Sequence, residues 1–302
     1  MVDQSRPARR HHQFYYSDGT HIFRAQNSLF KVHKSVLSDK SLIFKSMFDA
    51  NDYAGIFPID GLTDDKPILV PEQVTDDAFE LFLSVCYNKW RPDAWQAPES
   101  TIIELLELSR MYESQDARKY AIKQLSACCY AVKPINLASI ALKYQIKDIF
   151  CRAFRRMVSL RVNDITDSEF DLLSSSVWRT LFRLRERLDL HRRIVACEPP
   201  PLVHSVGCED PQRCLHDWRQ LWWNGMGRFL VDGRNPQSFN DAVQQFQGLS
   251  YGGMSPECWR NVVKFVKEGR AFLHEDDLLD LTARSLAEFL IVEPSFDDTF
   301  PY

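Results

Sequence analysis

The stretch Phe30-Lys31-Val32-His33-Lys34-Ser35-Val36-Leu37, continued by Ser41-Leu42-Ile43-Phe44-Lys45-Ser46-Met47-Phe48, limits the folds open to this chain more than any other segment. Its first part alternates apolar and polar residues, as a strand with one buried face does. Its second part repeats apolar residues every three to four positions, as an amphipathic helix does. No nucleophile, metal cluster or phosphate loop accompanies this junction. It points to a surface that grips another protein rather than to a site for chemistry.

The residues around it extend the pattern. Ser17-Asp18-Gly19 reads as a turn before the strand His21 to Ala25, and Asn27-Ser28 as a second turn before the strand Leu29 to Val32. Together they predict a hairpin. Ser35–Leu37 and Ile43–Phe48 predict two short helices parted by Asp39-Lys40-Ser41. Lys66 to Pro71 is a third strand, and its flanking prolines suit an edge position. Thr75-Asp76-Asp77 caps a helix, in which Phe79, Phe82, Leu83, Cys86 and Tyr87 form one apolar stripe.

From Glu99 to about Leu160 the chain is helical and repeats itself. Leu108, Tyr112, Asp116, Ala121 and Leu125 recur 32 positions later as Ile140, Tyr144, Asp148, Ala153 and Met157. Each copy predicts a helix, a polar break and a second helix, a unit that buries its apolar face only by stacking on neighbours. Further on, Thr166 opens a helix, Val177–Ile194 is helical and rich in arginine, and Glu198-Pro199-Pro200-Pro201 is a break. Helical stretches follow at Trp218–Phe229, Phe239–Phe246, Pro256–Phe272 and Asp276–Phe289. A frayed acidic tail ends the pattern.

Composition excludes several classes. Of 302 residues, 37 are basic and 41 acidic, a formal charge of −4, which forecasts neither nucleic acid nor an acidic membrane as partner. The first residues lack the apolar core of a secretion signal, and no run is long enough to span a bilayer. The expected location is intracellular, cytoplasmic or nuclear. In that compartment the eight cysteines are reduced, and Cys86, Cys128, Cys129 and Cys151 read as packing groups. Arg6 to Arg10 reads as a solvated tail, with a nuclear address as the alternative.

The Asp18-Gly19 turn, the Phe30-x-Val32-His33-Lys34-x-x-Leu37 element, Ser41-x-x-Phe44-x-x-Met47-Phe48 and the span Pro71 to Tyr87 resemble, in order and spacing, the BTB/POZ domain. The whole is most similar in wording to fungal BTB proteins. The resemblance implies an α+β, mainly α fold: a small sheet capping a cluster of short helices over residues 14–130. A helical extension at 131–195 and a C-terminal helical region at 196–302 follow. It also implies protein partners and self-association as a homo- or hetero-oligomer. The assembly face is expected at Val36, Leu37, Ile43 and Met47, with Ile22 and Phe23 of the first hairpin strand. Two departures matter. Dimeric members pair an acidic residue with the basic residue after the histidine; Lys34 supplies the base, but Thr20 stands at the acidic position. Members that bind a cullin carry a hydrophobic-x-Glu element, which Phe48 to Tyr53 lacks. A ubiquitin-ligase adaptor and a transcription-linked regulator are the alternative roles.

His33 has no catalytic companion at a motif spacing and reads as a hydrogen-bonded structural residue. His204, Cys208, Cys214 and His216 offer the ligand types and number of a tetrahedral zinc site, although the usual C-x-x-C knuckle is absent. The alternative is ordinary thiols beside surface histidines. Trp218, Trp222 and Trp223 with Phe229 read as core packing, with a partner pocket as the alternative because the adjacent pair cannot both point inward. The arginines of 177–193 read as a solvated helix face. With no nucleophile–base or phosphate-loop motif in sequence, no enzyme and no cofactor other than structural zinc is expected.

Overall fold

The computed structural model describes residues 8–54, 60–89, 97–233, 239–268 and 273–291. It comprises two compact units, Met1–Val132 and Lys133–Tyr302.

The first unit opens with a four-stranded sheet: β1 (Arg9–Tyr15), β2 (His21–Ala25), β3 (Ser28–Val32) and β4 (Ile68–Leu69), in the order β1-β3-β2-β4. The expected hairpin is present, with Phe23 opposite Phe30 and Ala25 opposite Ser28, so the tight turn falls at Gln26-Asn27. The preceding turn needs glycine, because a Cβ on Gly19 would meet the Lys31 backbone at 2.9 Å. β4 runs parallel to β2 on the outer edge, where prolines remove no ladder bond.

β1 occupies the other edge, parallel to β3, so Arg9 and Arg10 belong to a strand rather than a solvated tail. Its sequence Arg9-Arg10-His11-His12-Gln13 hides that role, because a histidine stands where an apolar residue is expected. The His11 ring lies flat on Phe30 at 4.6 Å between centroids. Its Nδ1 accepts the N–H groups of Phe14 at 3.1 Å and Gln13 at 3.3 Å. Arg10 is held outside by the Asp64 carboxylate at 2.7 Å.

Short helices cover the sheet: α1 (Lys34–Lys40), α2 (Leu42–Ala54), α3 (Asp76–Cys86), α4 (Glu99–Met111) and α5 (Gln115–Ala127). The break between α1 and α2 is Ser41, extended at φ −149°, whose Oγ accepts the Phe44 N–H at 3.1 Å as an N-cap. Thr75 caps α3 in the same way through Ala78, as its position ahead of two aspartates predicts. Phe14, Phe23, Phe30, Phe44, Phe48, Phe79 and Phe82 form a core, each at most 1% exposed. Each contributes roughly 1.5–3 kcal/mol of hydrophobic stabilisation.

The second unit begins with α6 (Pro134–Lys143) and α7 (Lys147–Val158). These reproduce α4 and α5 at the 32-residue offset down to the backbone. Tyr112 and Tyr144 are the C-caps, and Glu113 (φ 46°) and Gln145 (φ 57°) take the left-handed conformation. Six-to-one bonds then close each end, Ser114 N–H to Ser109 C=O and Ile146 N–H to Ala141 C=O. The C-terminus of α3 is closed identically by Tyr87, Asn88 (φ 51°) and the bond from Lys89 N–H to Ser84 C=O.

A capping box, Thr166 with Glu169, starts α8 (Asp167–Phe170), and α9 (Ser175–Cys197) ends at the Glu198 to Pro201 break. α10 (Pro211–Trp222) continues through a π turn, Trp223–Gly227, into α11 (Arg228–Val231). α12 (Phe239–Gln247), α13 (Pro256–Lys267) and α14 (Leu273–Leu290) complete the unit. The arginines of α9 are not all on a solvated face: Arg185 donates to the carbonyls of Met157 and Leu160, both at 2.6 Å, Arg192 pairs with Glu275 of α14, and Arg193 pairs with Asp189. Trp218 and Trp222 are sealed in a core with Phe246 and Val262, whereas Trp223 is 53% exposed. The acidic tail lies outside the described residues.

Candidate functional site

Two groups of residues stand out once the elements are placed, one in each unit. The first is the outer face of α1 and α2. Phe44 and Phe48, one turn apart, point into the core, and Leu37 of α1 joins them there. Ile43 and Met47, also one turn apart, fall beside that buried stripe. Ile43 is 39% exposed, Leu42 ahead of it is 60% exposed, and Met47 and Val36 are half-buried. The apolar stripe of α2 is therefore wider than the core beneath it requires, and the surplus faces solvent.

This divides the residues expected to grip a partner. Val36, Ile43 and Met47 remain available, and Leu42 joins them. Ile22, Phe23 and Leu37 do not, because all three are at most 3% exposed. The physical reason is position. β2 is an interior strand, with β3 and β4 taking up its two edges, and Phe23 is wedged against Phe44 and Phe79. On α1 the helical period turns Leu37 inward while Val36 stays at the rim.

At the strand–helix junction His33 is half-buried and fully engaged. Its N–H donates to the Tyr87 hydroxyl at 2.8 Å, its Nδ1 lies 2.9 Å from the same oxygen, and its Nε2 lies 3.2 Å from Asp18 Oδ2. The hydrogen bond from His33 holds the Asp18 carboxyl below its ordinary value. Burial pushes the Tyr87 hydroxyl up to about 12. These are the contacts of a structural hinge between turn, strand and helix. At the position where an acid was expected, the Thr20 hydroxyl accepts the Lys34 backbone N–H at 2.8 Å. A groove of about 310 Å³ also opens between α3 and α5, with Leu81, Val85 and Tyr120 on its floor and Lys89, Lys119 and Lys123 on its rim. Neither helix pattern alone forecasts it, because residues of both helices line it.

The second group lies in the other unit. His204, Cys208, Cys214 and Cys258 bring one ligand atom each within 4.8 Å of one another. His204 Nδ1 is 3.5 Å from Cys208 Sγ and 3.9 Å from Cys258 Sγ. His216, expected as the fourth member, is exposed on α10. It follows Cys214 by two residues, about 200° around the helix, so the two side chains leave on opposite sides. Cys258, in the first turn of α13, takes that place. Burial pushes the Cys258 thiol up, but hydrogen bonds from the Ser205 hydroxyl and N–H, His204 and Cys208 outweigh it and hold it at about 6. Burial raises Cys214 to about 11.

The first unit is thus a small sheet laid against short helices, with Leu42 and Ile43 exposed on the second of them. Residues 12–128 match the model of the BTB/POZ domain, so the chain contains a BTB/POZ domain, a protein-interaction module. No curated protein matches the chain. Among the described residues no helix is long and apolar enough to cross a membrane.

Proposed function

We propose that this chain is a non-enzymatic scaffold or regulator that assembles with a second copy of itself through the α1–α2 face of its BTB domain. One observation carries the reading: Leu42 and Ile43 stand exposed beside half-buried Val36 and Met47, directly over a fully packed aromatic core. A rigid apolar face on a preorganised helix pair loses little entropy when covered, which favours association. A stable interface buries on the order of 1,200–2,000 Å² in total, with a few central apolar anchors carrying most of the energy. Self-assembly has more support than a cullin-adaptor role, since Phe48 to Tyr53 carries no glutamate.

Light scattering on the full chain tests this. The wild type is expected at twice the 35.2 kDa chain mass, and the double variant Leu42→Asp, Ile43→Asp at the single mass with unchanged circular dichroism. A monomeric wild type at tens of micromolar refutes the proposal, as does a double variant that remains dimeric.

A further inference from the structure

We propose that His204 Nδ1 and the Sγ atoms of Cys208, Cys214 and Cys258 form a closed, structural zinc site in the second unit. Zinc with one imidazole and three thiolates is four-coordinate and tetrahedral, at about 2.3 Å to sulfur and 2.0–2.1 Å to nitrogen. Those bond lengths place neighbouring ligand atoms roughly 3.4–3.8 Å apart. The His204–Cys208 and His204–Cys258 separations, 3.5 and 3.9 Å, already lie at that scale, and all four atoms fall within a 4.8 Å span. Small side-chain rotations close the remainder.

The surroundings fit a thiolate-bound cation independently of the distances. Cys214 lies in the first turn of α10 and Cys258 in the first turn of α13, and each of these 12-residue helices begins with proline at its first position. Two helix N-termini thus converge on the same point, and their partial positive charge favours the net negative charge that three thiolates leave around a dication. The Ser205 N–H donates to Cys258 Sγ at 3.2 Å, the kind of outer hydrogen bond that orients a metal-bound sulfur. Cys214 and Cys258 are buried among Trp218, Trp222 and Val262, which keeps water away. With all four positions filled by protein, the site has no open coordination for catalysis.

The consequence is mechanical. Residues 198–210, between α9 and α10, form no helix or strand, a long connection for a packed unit. His204 and Cys208 belong to it, while Cys214 and Cys258 anchor two helices far apart in sequence. A zinc ion would fasten that segment to α10 and α13 together, and binding energy of this kind becomes folding energy.

Elemental analysis of the purified, reduced full chain after dialysis against zinc is expected to give about one zinc per chain. X-ray absorption is expected to show three sulfur neighbours and one nitrogen neighbour at the distances above. Cys258→Ser is expected to lose at least nine-tenths of the metal, while His216→Ala and Cys197→Ser retain it. Should Cys258→Ser not fold, cobalt(II) loading of the wild type serves instead: strong visible bands of tetrahedral thiolate ligation support the site. A chain that takes up no zinc or cobalt overturns it, as does full retention by Cys258→Ser, loss with His216→Ala, or a native disulfide among the three cysteines.

Discussion

Glu113→Gly should stabilise the first unit although it removes a side chain and adds no contact. Glu113 sits at φ 46° at the C-terminus of α4, in the left-handed region that closes the helix through the Ser114–Ser109 bond. An L-residue there carries a cost of roughly 1–2 kcal/mol from the Cβ against its own carbonyl. Glycine does not bear that cost, but it gives up about 0.5–1 kcal/mol of extra backbone entropy on folding. The difference predicts a net gain of about 0.5–1 kcal/mol, on the order of 2–4 °C in the melting temperature of a unit of this size. Glu113→Ala separates the two contributions, because it removes the carboxylate and keeps the Cβ; it should leave the melting temperature within about 1 °C of wild type. Thermal melts followed by circular dichroism on the three proteins decide the matter. If glycine is no more stable than alanine, the left-handed cap does not store the strain assigned to it.

Two further expectations follow from single contacts. Lys133 hydrogen-bonds Glu169 at 2.7 Å and, with the Thr166 bonds of the capping box, holds its carboxyl at about 2, below the ordinary 4.5. Because the folded value is depressed, this stabilisation is fully present above pH 4.5 and is lost as pH falls from there towards 2. Melting temperatures over that range should drop less in Glu169→Gln than in wild type, and parallel curves refute the assignment. Ser41→Ala removes both the N-cap of α2 and the Ser41 hydroxyl's bond to the Tyr112 carbonyl at 2.5 Å, so urea unfolding should show a loss of about 1–2 kcal/mol. An unchanged midpoint would mean that the cap contributes nothing.

Most of the fold could be read from the residues because each level pointed the same way. The period change at His33-Lys34 marks the end of β3 and the start of α1, and the 32-residue recurrence of Tyr112 as Tyr144 marks two helix ends with the same left-handed cap. β1 escaped because its inward position is filled by His11, which earns burial through stacking on Phe30 and two backbone hydrogen bonds rather than through an apolar side chain. Hydrophobic periodicity cannot register such a residue.

Packing decides which of the expected residues come together and which reach solvent. An apolar pattern locates a helix face but not its exposure: Val36 and Leu37 are neighbours in sequence, and only the packing of α1 decides that one reaches solvent. Ile22 and Phe23 are buried for a related reason, since alternation alone does not reveal that β4 occupies the second edge of β2 and leaves that strand interior. The thiol cluster shows the opposite limit. His204, Cys208 and Cys214 lie close enough in sequence to be seen together, and His216 completes the pattern only while the segment is imagined as a loop. Once Asp210 caps a helix beginning at Pro211, donor types two residues apart cannot converge, so Cys214 and His216 do not meet. Cys258 joins Cys208 and Cys214 beside His204 because α13, like α10, turns its first residues towards that segment. Which thiols gather around His204 is thus decided by where two helices begin.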